Sequence, residues 1–248
     1  MKKKSILFLA LCTLLSCKKD VQKEVLALNL PKGYTQTLIY STSTDQNSNG
    51  SMSDATEVKY TVDSIDANGN YYLTGEILRM TYNQKMFDEN VHYDSRETTN
   101  NDPMMAAELQ PLVNNPFTFK IDKHGEVMEK QKFTKEIVSS LDASTYNIIP
   151  FNFPRESIAV GHLWKQTKEN PVLKSISATD EYFYSGVKNN DLEITVNSKI
   201  PGMVGMKGTD VKGKYIFDSK TKALISAERE MPVQMCGGTA SFTIITVK

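Results

Sequence analysis

The stretch EVKYTVDSIDANGNYYLTGEILRMTY, from Glu57 to Tyr82, decides the fold class. Val58, Tyr60 and Val62 alternate with polar neighbours, which is the period-two pattern of a half-buried β-strand. Asn68-Gly69 follows, and this dipeptide is the strongest short hairpin signal in the chain. Apolar residues continue beyond the turn, so the stretch predicts an antiparallel β-hairpin.

Further strands are predicted on both sides of this hairpin. A period-two pattern at 34–40 places Tyr34, Gln36, Leu38 and Tyr40 on one face, and the chain ends on a similar alternation at 242–247. The polar stretch 41–54 is rich in Ser, Thr, Asn and Gly, and its middle is expected to be a hairpin loop. Gly75 interrupts the return strand of the hairpin and is expected to mark a bulge.

A second part of the chain repeats the layout of the first. Residues 117–127 and 215–224 both read as aromatic and apolar residues, an aspartate, a short turn and a return strand. A hairpin precedes each, and the one at 182–196 turns through asparagines. We therefore expect two similar halves, at about 33–130 and 160–248, within a mainly β fold with a few short helices. The expected architecture is a curved antiparallel sheet, shaped like a half-barrel or clam.

Two segments between the strands are predicted to be short helices. Asp102-Pro103 supplies an N-cap followed by proline at the first helical position, and apolar residues follow at helix spacing. Phe133, Ile137 and Leu141 recur every four residues and predict a second amphipathic helix. These three side chains are the candidate lining of an apolar cleft over the sheet.

The amino terminus has the features of a secretory signal. Lys2–Lys4 are followed by an apolar run at 5–15, which is too short for a membrane-spanning helix of about 20 residues. Residues 1–16 are therefore the expected signal peptide, with Cys17 directly after it. An ordinary cleaved signal with an incidental cysteine is the alternative.

Leu14-Leu-Ser-Cys17 resembles the lipobox of bacterial lipoproteins. That resemblance implies acylation of Cys17, removal of the preceding peptide and attachment to a membrane. Lys18 follows the cysteine where an aspartate would retain enterobacterial lipoproteins in the inner membrane, so an outer-membrane location is expected, on the periplasmic face or at the cell surface. We expect a lipidated tether at 17–31 and a single β-rich domain at 32–248.

Charge and cysteine content narrow the class of protein. The 248 residues include 29 basic and 29 acidic side chains, and loss of the three signal lysines would leave a net charge of −3. This balance provides no basic surface for nucleic acid. With Cys12 in the signal and Cys17 acylated, Cys236 has no partner for an intramolecular disulfide. A small buried hydrophobic residue is its expected role, although a nucleophile or an intermolecular partner is also open.

The sequence offers no catalytic, metal or cofactor motif. His92, His124 and His162 stand apart from one another and from acid or cysteine pairs, so no metal site is expected. The acid pairs Asp180-Glu181 and Glu228 with Glu230 are expected at ordinary solvent-exposed positions. Eleven methionines are present, with Met203, Met206, Met231 and Met235 near late glycines, and they suit either core packing or a soft apolar cleft.

Four short motifs carry a resemblance to a known group of proteins. They are Lys32-Gly-Tyr34, Phe119-Lys-Ile-Asp-Lys-His-Gly-Glu-Val127, Ile158-Ala-Val-Gly-His-Leu-Trp164 and Gly213-Lys-Tyr-Ile-Phe-Asp218. With these motifs the chain resembles a family of uncharacterised lipoproteins common in Bacteroidota, which implies a location and a shape but no activity. The element order is also similar to that of bacterial lipid and lipoprotein carriers, an analogy at the level of fold.

These observations favour a lipid-anchored, non-catalytic protein of the outer membrane. Its curved sheet is expected to bind an apolar ligand or a lipidated partner. The alternative is a module for protein interaction or envelope assembly, which binds an envelope protein through strand edges and loops and takes no small molecule.

Overall fold

The computed structural model describes residues 22–46, 50–87, 89–137, 146–169, 177–201, 208–232 and 238–247. The expected signal peptide at 1–16, Cys17, Leu141 and Cys236 lie outside these residues. In the described part of the chain, no helix is both long enough and apolar enough to cross a membrane.

The described residues form fourteen strands and one α-helix. The strands are β1 (Lys23–Glu24), β2 (Thr35–Asp45), β3 (Gly50–Ile65), β4 (Tyr71–Met86), β5 (Glu89–Asp94), β6 (Phe117–Ile121), β7 (Val127–Phe133), β8 (Ile158–Ala159), β9 (Leu163–Glu169), β10 (Ser177–Lys188), β11 (Asp191–Ile200), β12 (Thr209–Asp218), β13 (Leu224–Pro232) and β14 (Thr239–Val247). Helix α1 (Pro103–Leu109) continues into a 3₁₀ turn (Gln110–Leu112).

Twelve of these strands form one antiparallel sheet, and β1 pairs separately with β8. The order across the large sheet is β7-β6-β4-β3-β2-β14-β13-β12-β11-β10-β9, with β5 also paired to β4. The two outermost strands do not pair with each other, so the sheet stays open. The expectation of a mainly β, antiparallel fold is confirmed.

The strand order shows the two halves directly. The order β7-β6-β4-β3-β2 is repeated as β13-β12-β11-β10-β9, and β14 lies between β2 and β13. Both halves therefore run in the same direction across the sheet. We call the sheet face that bears Tyr60 and Tyr182 the inner face; both rings are buried there. In the first half, α1 and the 3₁₀ turn bury Leu109 and Leu112 against the core.

The predicted turns form where the sequence places them. Asn68-Gly69 joins β3 to β4, and Asp66 accepts hydrogen bonds from the backbone amides of Asn68 and Asn70. Asn189 and Asn190 join β10 to β11 with positive φ angles of 54° and 68°, as a type I′ turn requires.

The bulge expected at Gly75 is wrong. Gly75 pairs regularly with Tyr60, and the register shifts fall between Glu57 and Val58 and between Val62 and Ser64 of β3. The glycine serves packing instead, because a Cβ atom there would stand 2.3 Å from Cζ of Phe117.

Helix α1 begins as predicted, but a helix does not begin at Phe133. The Asp102 carboxylate accepts hydrogen bonds from the amides of Met104 and Met105, which caps α1. Phe133 is instead the last residue of β7, and it pairs with Phe117. Residues 134–137 are irregular, and the amides of Thr134 and Lys135 donate to Pro116 and Asn115, ahead of β6, rather than along a helix. Phe133 and Ile137, which have the four-residue spacing of a helix, thus lie at a strand end and in a loop.

The sequence predicts a tether over 17–31, but part of this range belongs to the packed fold. Leu26, Leu28 and Leu30 are buried, with exposed fractions of 0%, 5% and 2%. We call residues 23–30 the N-terminal segment. Its backbone amides at Leu28 and Asn29 donate to the carbonyls of Lys123 and Thr221, at 2.8 and 2.9 Å.

The polar stretch 41–54 is mostly strand. β2 extends through Asp45 and β3 begins at Gly50, and Thr42 donates across the pair to Asp54. The loop expected in the middle of this stretch is confined to 46–49, of which 47–49 lie outside the described residues. Polar β-branched residues such as threonine fit a half-exposed strand, which explains its length.

Candidate functional site

A cavity of about 690 Å³ lies on the inner face of the sheet, mainly in the second half. Its volume falls within the range of roughly 300–1,000 Å³ that is typical of small-molecule sites. Strands β2, β14, β13, β12, β11 and β10 form its floor. Apolar side chains dominate the lining, among them Ile200, Val211, Met231, Phe242 and Ile244.

A segment that crosses the inner face forms one wall of the cavity. Asn147, Ile149 and Pro150 border the cavity, and the hydroxyl of Tyr40 donates to the backbone carbonyl of Asn147 at 2.8 Å. Phe151 follows and stacks on Tyr182 with 4.5 Å between ring centroids. The crossing segment is therefore fixed to both the middle of the sheet and its second half.

A buried charged pair lies at the edge of this apolar space. Nη2 of Arg229 is 3.0 Å from Oδ2 of Asp180, and the same carboxylate oxygen accepts from the hydroxyl of Tyr182 at 2.9 Å. Nε of Arg229 donates to Oη of Tyr215 at 2.6 Å. The side chain of Asp180 is only 2% exposed, and that of Arg229 is 19% exposed. We call Asp180, Tyr182, Tyr215 and Arg229 the polar cluster.

The sequence makes room for the arginine with a glycine on the neighbouring strand. Gly213 of β12 pairs with Arg229 of β13. A Cβ atom at Gly213 would lie 2.6 Å from Cγ of Arg229 and 2.7 Å from the carbonyl oxygen of Glu228. Glycine therefore lets the arginine stem lie flat over β12 and directs its guanidinium towards Tyr215 and Asp180.

The polar cluster favours the ionised form of its two charged groups. Burial raises the pKa of Asp180, but hydrogen bonding to Ser198 and the charge of Arg229 outweigh it, so the pKa lies below its ordinary value. Burial opposes the charge on Arg229, yet Tyr215 and Asp180 together raise its pKa above the ordinary value. Burial also raises the pKa of Tyr215 to about 12, which keeps its hydroxyl protonated at neutral pH.

The sequence-based candidates for the cleft lie elsewhere. The ring of Phe133 contacts that of Phe117, with 5.3 Å between centroids, and Ile137 is partly buried against the core. Neither side chain borders the cavity, and Leu141 lies outside the described residues. Of the late methionines, Met231 borders the cavity, and the other three lie outside the described residues.

The expectation that Asp180 is solvent-exposed is wrong. The pattern of β10 could have signalled its burial, because Asp180 stands two residues before Tyr182, on the same strand face. In the first half the corresponding residue, two before Tyr60, is the buried Val58. An aspartate at an apolar position of a repeated pattern is the signal that sequence reasoning missed.

Other titratable groups play structural roles. The buried His124 lies with Nδ1 3.0 Å from the carbonyl oxygen of Leu26, so it helps to hold the N-terminal segment. Lys222 pairs with Glu24 at 2.6 Å on the same segment. Within the described ranges, no group of three histidine, cysteine or acidic residues is arranged to hold a metal ion.

Part of the chain matches a known family. Residues 68–145 match DUF6263, a family of unknown function. The match begins at the turn before β4 and takes in β5, α1, β6 and β7, which is most of the first half. No curated protein matches the chain. The first half is thus similar to an uncharacterised family, and the cavity lies mainly beyond the matched range.

Proposed function

We propose that this chain is a lipid-anchored protein of the bacterial envelope that binds an apolar ligand on the inner face of its sheet, without catalysis. The observation that carries the proposal is the cavity of about 690 Å³ with its mainly apolar lining. An apolar cavity bordered by a few fixed polar groups is the usual form of a small-molecule site.

The proposal of binding without catalysis is supported by the chemistry of the polar cluster. A general base works best with a pKa near the working pH. The pKa of Asp180 is instead held below its ordinary value, and its carboxylate already accepts from Tyr182 and Arg229. Such a group is suited to fixing Arg229 in place rather than to moving a proton.

The proposed anchor is Cys17, at the end of the lipobox-like Leu14–Cys17. The resemblance to Bacteroidota lipoproteins supports acylation there and a place in the outer membrane. The first strand begins at Lys23, six residues after Cys17. A fully extended chain spans roughly 3.3–3.6 Å per residue, so the fold would stay within about 20 Å of its anchor.

Cys17→Ala tests the anchor. The variant is expected to leave the membrane fraction, because a polar mature chain without acyl groups has no comparable affinity for a bilayer. Cys236→Ala is the matched control and is expected to fractionate with membranes like the wild type. Membrane-bound, processed Cys17→Ala protein would contradict the proposed lipoprotein.

Ala240→Trp tests the cavity. Ala240 borders it from β14, and a tryptophan there would occupy space that a ligand needs. Native mass spectrometry of the purified protein is expected to show bound lipid in the wild type and much less in this variant. Ala55→Trp is the control, because Ala55 pairs with Ser41 on the opposite sheet face and should leave lipid binding intact.

A protein-interaction module is the second candidate function. Leu163 of the edge strand β9 pairs with Phe183 of β10, and both are exposed, at 55% and 38%. Adjacent exposed apolar residues at a sheet edge suit a protein partner. Wild-type protein without bound lipid, together with an envelope protein whose capture requires Leu163 and Phe183, would favour this function.

A further inference from the structure

The polar cluster holds hydrogen-bond donors that the described residues do not satisfy. An arginine side chain has five N–H donors. In Arg229, Nε donates to Tyr215 and Nη2 to Asp180, whereas Nη1 has no partner among the described residues. Oη of Tyr215 accepts from Nε, so its own proton is left for an acceptor, and none is found in the described part of the chain.

These donors border the cavity. Both Arg229 and Tyr215 contribute to its lining. A buried ion pair is costly to desolvate and is often replaced by apolar residues without loss of stability. The first half shows such a replacement in the same fold, because Val58 and Phe133 occupy the places of Asp180 and Arg229. The pair is therefore better explained by recognition than by folding.

We propose that the cavity binds a long-chain fatty acid, with its carboxylate at Nη1 of Arg229 and Oη of Tyr215. This proposal rests on the proposed function and names the class of its ligand. Carboxylate oxygens only accept hydrogen bonds, which matches two unsatisfied donors, one of them charged. The acyl chain would lie along Ile200, Val211 and Phe242.

The local charges fit a single carboxylate. Asp180 binds Arg229 through Nη2 and lies 2% exposed, so it fixes the guanidinium without occupying Nη1. Glu230 also borders the cavity, but its side chain is solvent-exposed, and water and salt therefore weaken its repulsion of an anion. Tyr215 stays protonated because burial raises its pKa to about 12, and it can therefore donate.

Photo-crosslinking of the purified full chain tests the proposal. Three probes of equal chain length are used: a diazirine fatty acid, the matching fatty alcohol and the matching alkyl phosphate. Labelled peptides are mapped by mass spectrometry, and unlabelled competitor gives the affinity of each probe. The fatty acid is expected to label the cavity strands and to bind more tightly than the alcohol.

Two variants separate the headgroup contacts from the fold. Tyr215→Phe removes one hydroxyl, and the double variant Asp180→Asn/Arg229→Met removes both charges of the pair together. Each is expected to lower fatty-acid affinity by about tenfold or more, while alcohol binding changes by less than about twofold. Glu193→Gln/Lys214→Met, which removes a pair with a 2.7 Å contact from an exposed part of the sheet, is the matched control and should change neither.

The outcomes distinguish the two proposals. Equal binding of the acid and the alcohol, or an acid affinity that both cluster variants retain, would contradict the proposed fatty-acid ligand. The proposal of an apolar binding site would not be affected by either result. Tighter binding of the alkyl phosphate than of the fatty acid would contradict the carboxylate and show that the site prefers a phosphate headgroup. Absence of cavity labelling by all three probes would overturn the proposed function itself. A cooperative thermal melt of each variant shows that the fold is kept.

Discussion

The two halves of the sheet share a strand order but differ in what covers their inner faces. Across the first half, Tyr60 pairs with Gly75, Gly75 with Phe117, and Phe117 with Phe133. The corresponding row of the second half reads Tyr182, Val196, Gly213 and Arg229. Each row contains a glycine that admits a large neighbour. In the first half the neighbour is a phenyl ring, and in the second it is a charged side chain.

This difference shows how one scaffold provides both a solid core and a cavity. In the first half, Phe117 is fully buried and contacts the rings of Phe119 and Phe133 at 5.9 and 5.3 Å. In the second half, ring packing is concentrated around Phe151, which contacts Tyr182 and Tyr215 at 4.5 and 4.8 Å. Beyond these rings, the described residues of the inner face surround the cavity, which the polar cluster borders.

Equivalent turns of the two halves both bind the N-terminal segment. Asp122 directly follows β6 and Asp218 ends β12, and each accepts hydrogen bonds from backbone amides two or more residues further along the chain. The turns after these aspartates bind neighbouring amides of the N-terminal segment. The N-terminal segment therefore contacts both halves.

The largest expected effect is that of replacing Arg229 while Asp180 is kept. Arg229→Met would remove the guanidinium from the buried carboxylate of Asp180, and we expect a loss of about 3–5 kcal/mol in the free energy of unfolding. Urea denaturation followed by circular dichroism measures this loss.

Asp180→Asn/Arg229→Met sharpens the comparison between the halves. The first half has Val58 and Phe133 at the equivalent two positions. If the second half also tolerates less polar residues there, the double variant should lose less than half as much stability as Arg229→Met alone. A double variant as unstable as Arg229→Met would show that the fold itself requires the ion pair.

The next effect concerns the glycine of the first half. Gly75→Ala is expected to cost about 1–3 kcal/mol by overpacking, because the new methyl group would strike the fully buried ring of Phe117. Thermal and urea unfolding measure this loss. Phe117→Leu in the same background provides space and should recover part of it, whereas an unchanged stability of Gly75→Ala would contradict the packing argument.

The smallest effect concerns the turns. Hydrogen bonds from the backbone and side chain of Thr221 lower the pKa of Asp218 in the folded state. The stability that this provides is complete above the unfolded value of about 3.9 and is lost as the pH falls through the lower folded value. Asp218→Asn should therefore cost roughly 0.5–1.5 kcal/mol at neutral pH and flatten the acid side of the stability curve.

The first half supplies the comparison for this turn. Asp122→Asn removes the negative charge from the equivalent acceptor and also a 2.8 Å ion pair with Arg155, so its cost at neutral pH should be similar or slightly larger. Asp191→Asn, at an exposed position in a turn held by asparagines, is the control. An acid response of Asp218→Asn that matches the wild type would contradict the role of the carboxylate.

Local signals in the sequence predicted the parts of the fold that depend on near neighbours. Alternating apolar residues gave the strands, Asn68-Gly69 and Asn189-Asn190 gave hairpin turns, and Asp102-Pro103 gave the start of α1. The repeated aspartate turns also indicated two halves. Each of these features is encoded within about ten residues, because turns and caps are satisfied by their own backbone.

The candidate site could not be predicted in the same way, because its contacts join distant parts of the chain. Asp180 and Arg229 are 49 positions apart, and Tyr40 reaches Asn147 over 107 positions. The spacing of Phe133 and Ile137 suggested a helix, but pairing of Phe133 with Phe117 in the sheet overrode it. Tertiary packing routinely overrides local propensity in this way.

By itself, the sequence determined the mainly β class and the repeated layout, since each follows from a local pattern. Only the tertiary structure decided which half is filled and which is open. The two rows occupy equivalent positions in the sheet. They differ in their packing, because Phe117 lies against Gly75 in the first half and Arg229 lies against Gly213 in the second. Burial is a property of the assembled sheet, and so is the cost of placing Asp180 and Arg229 within it.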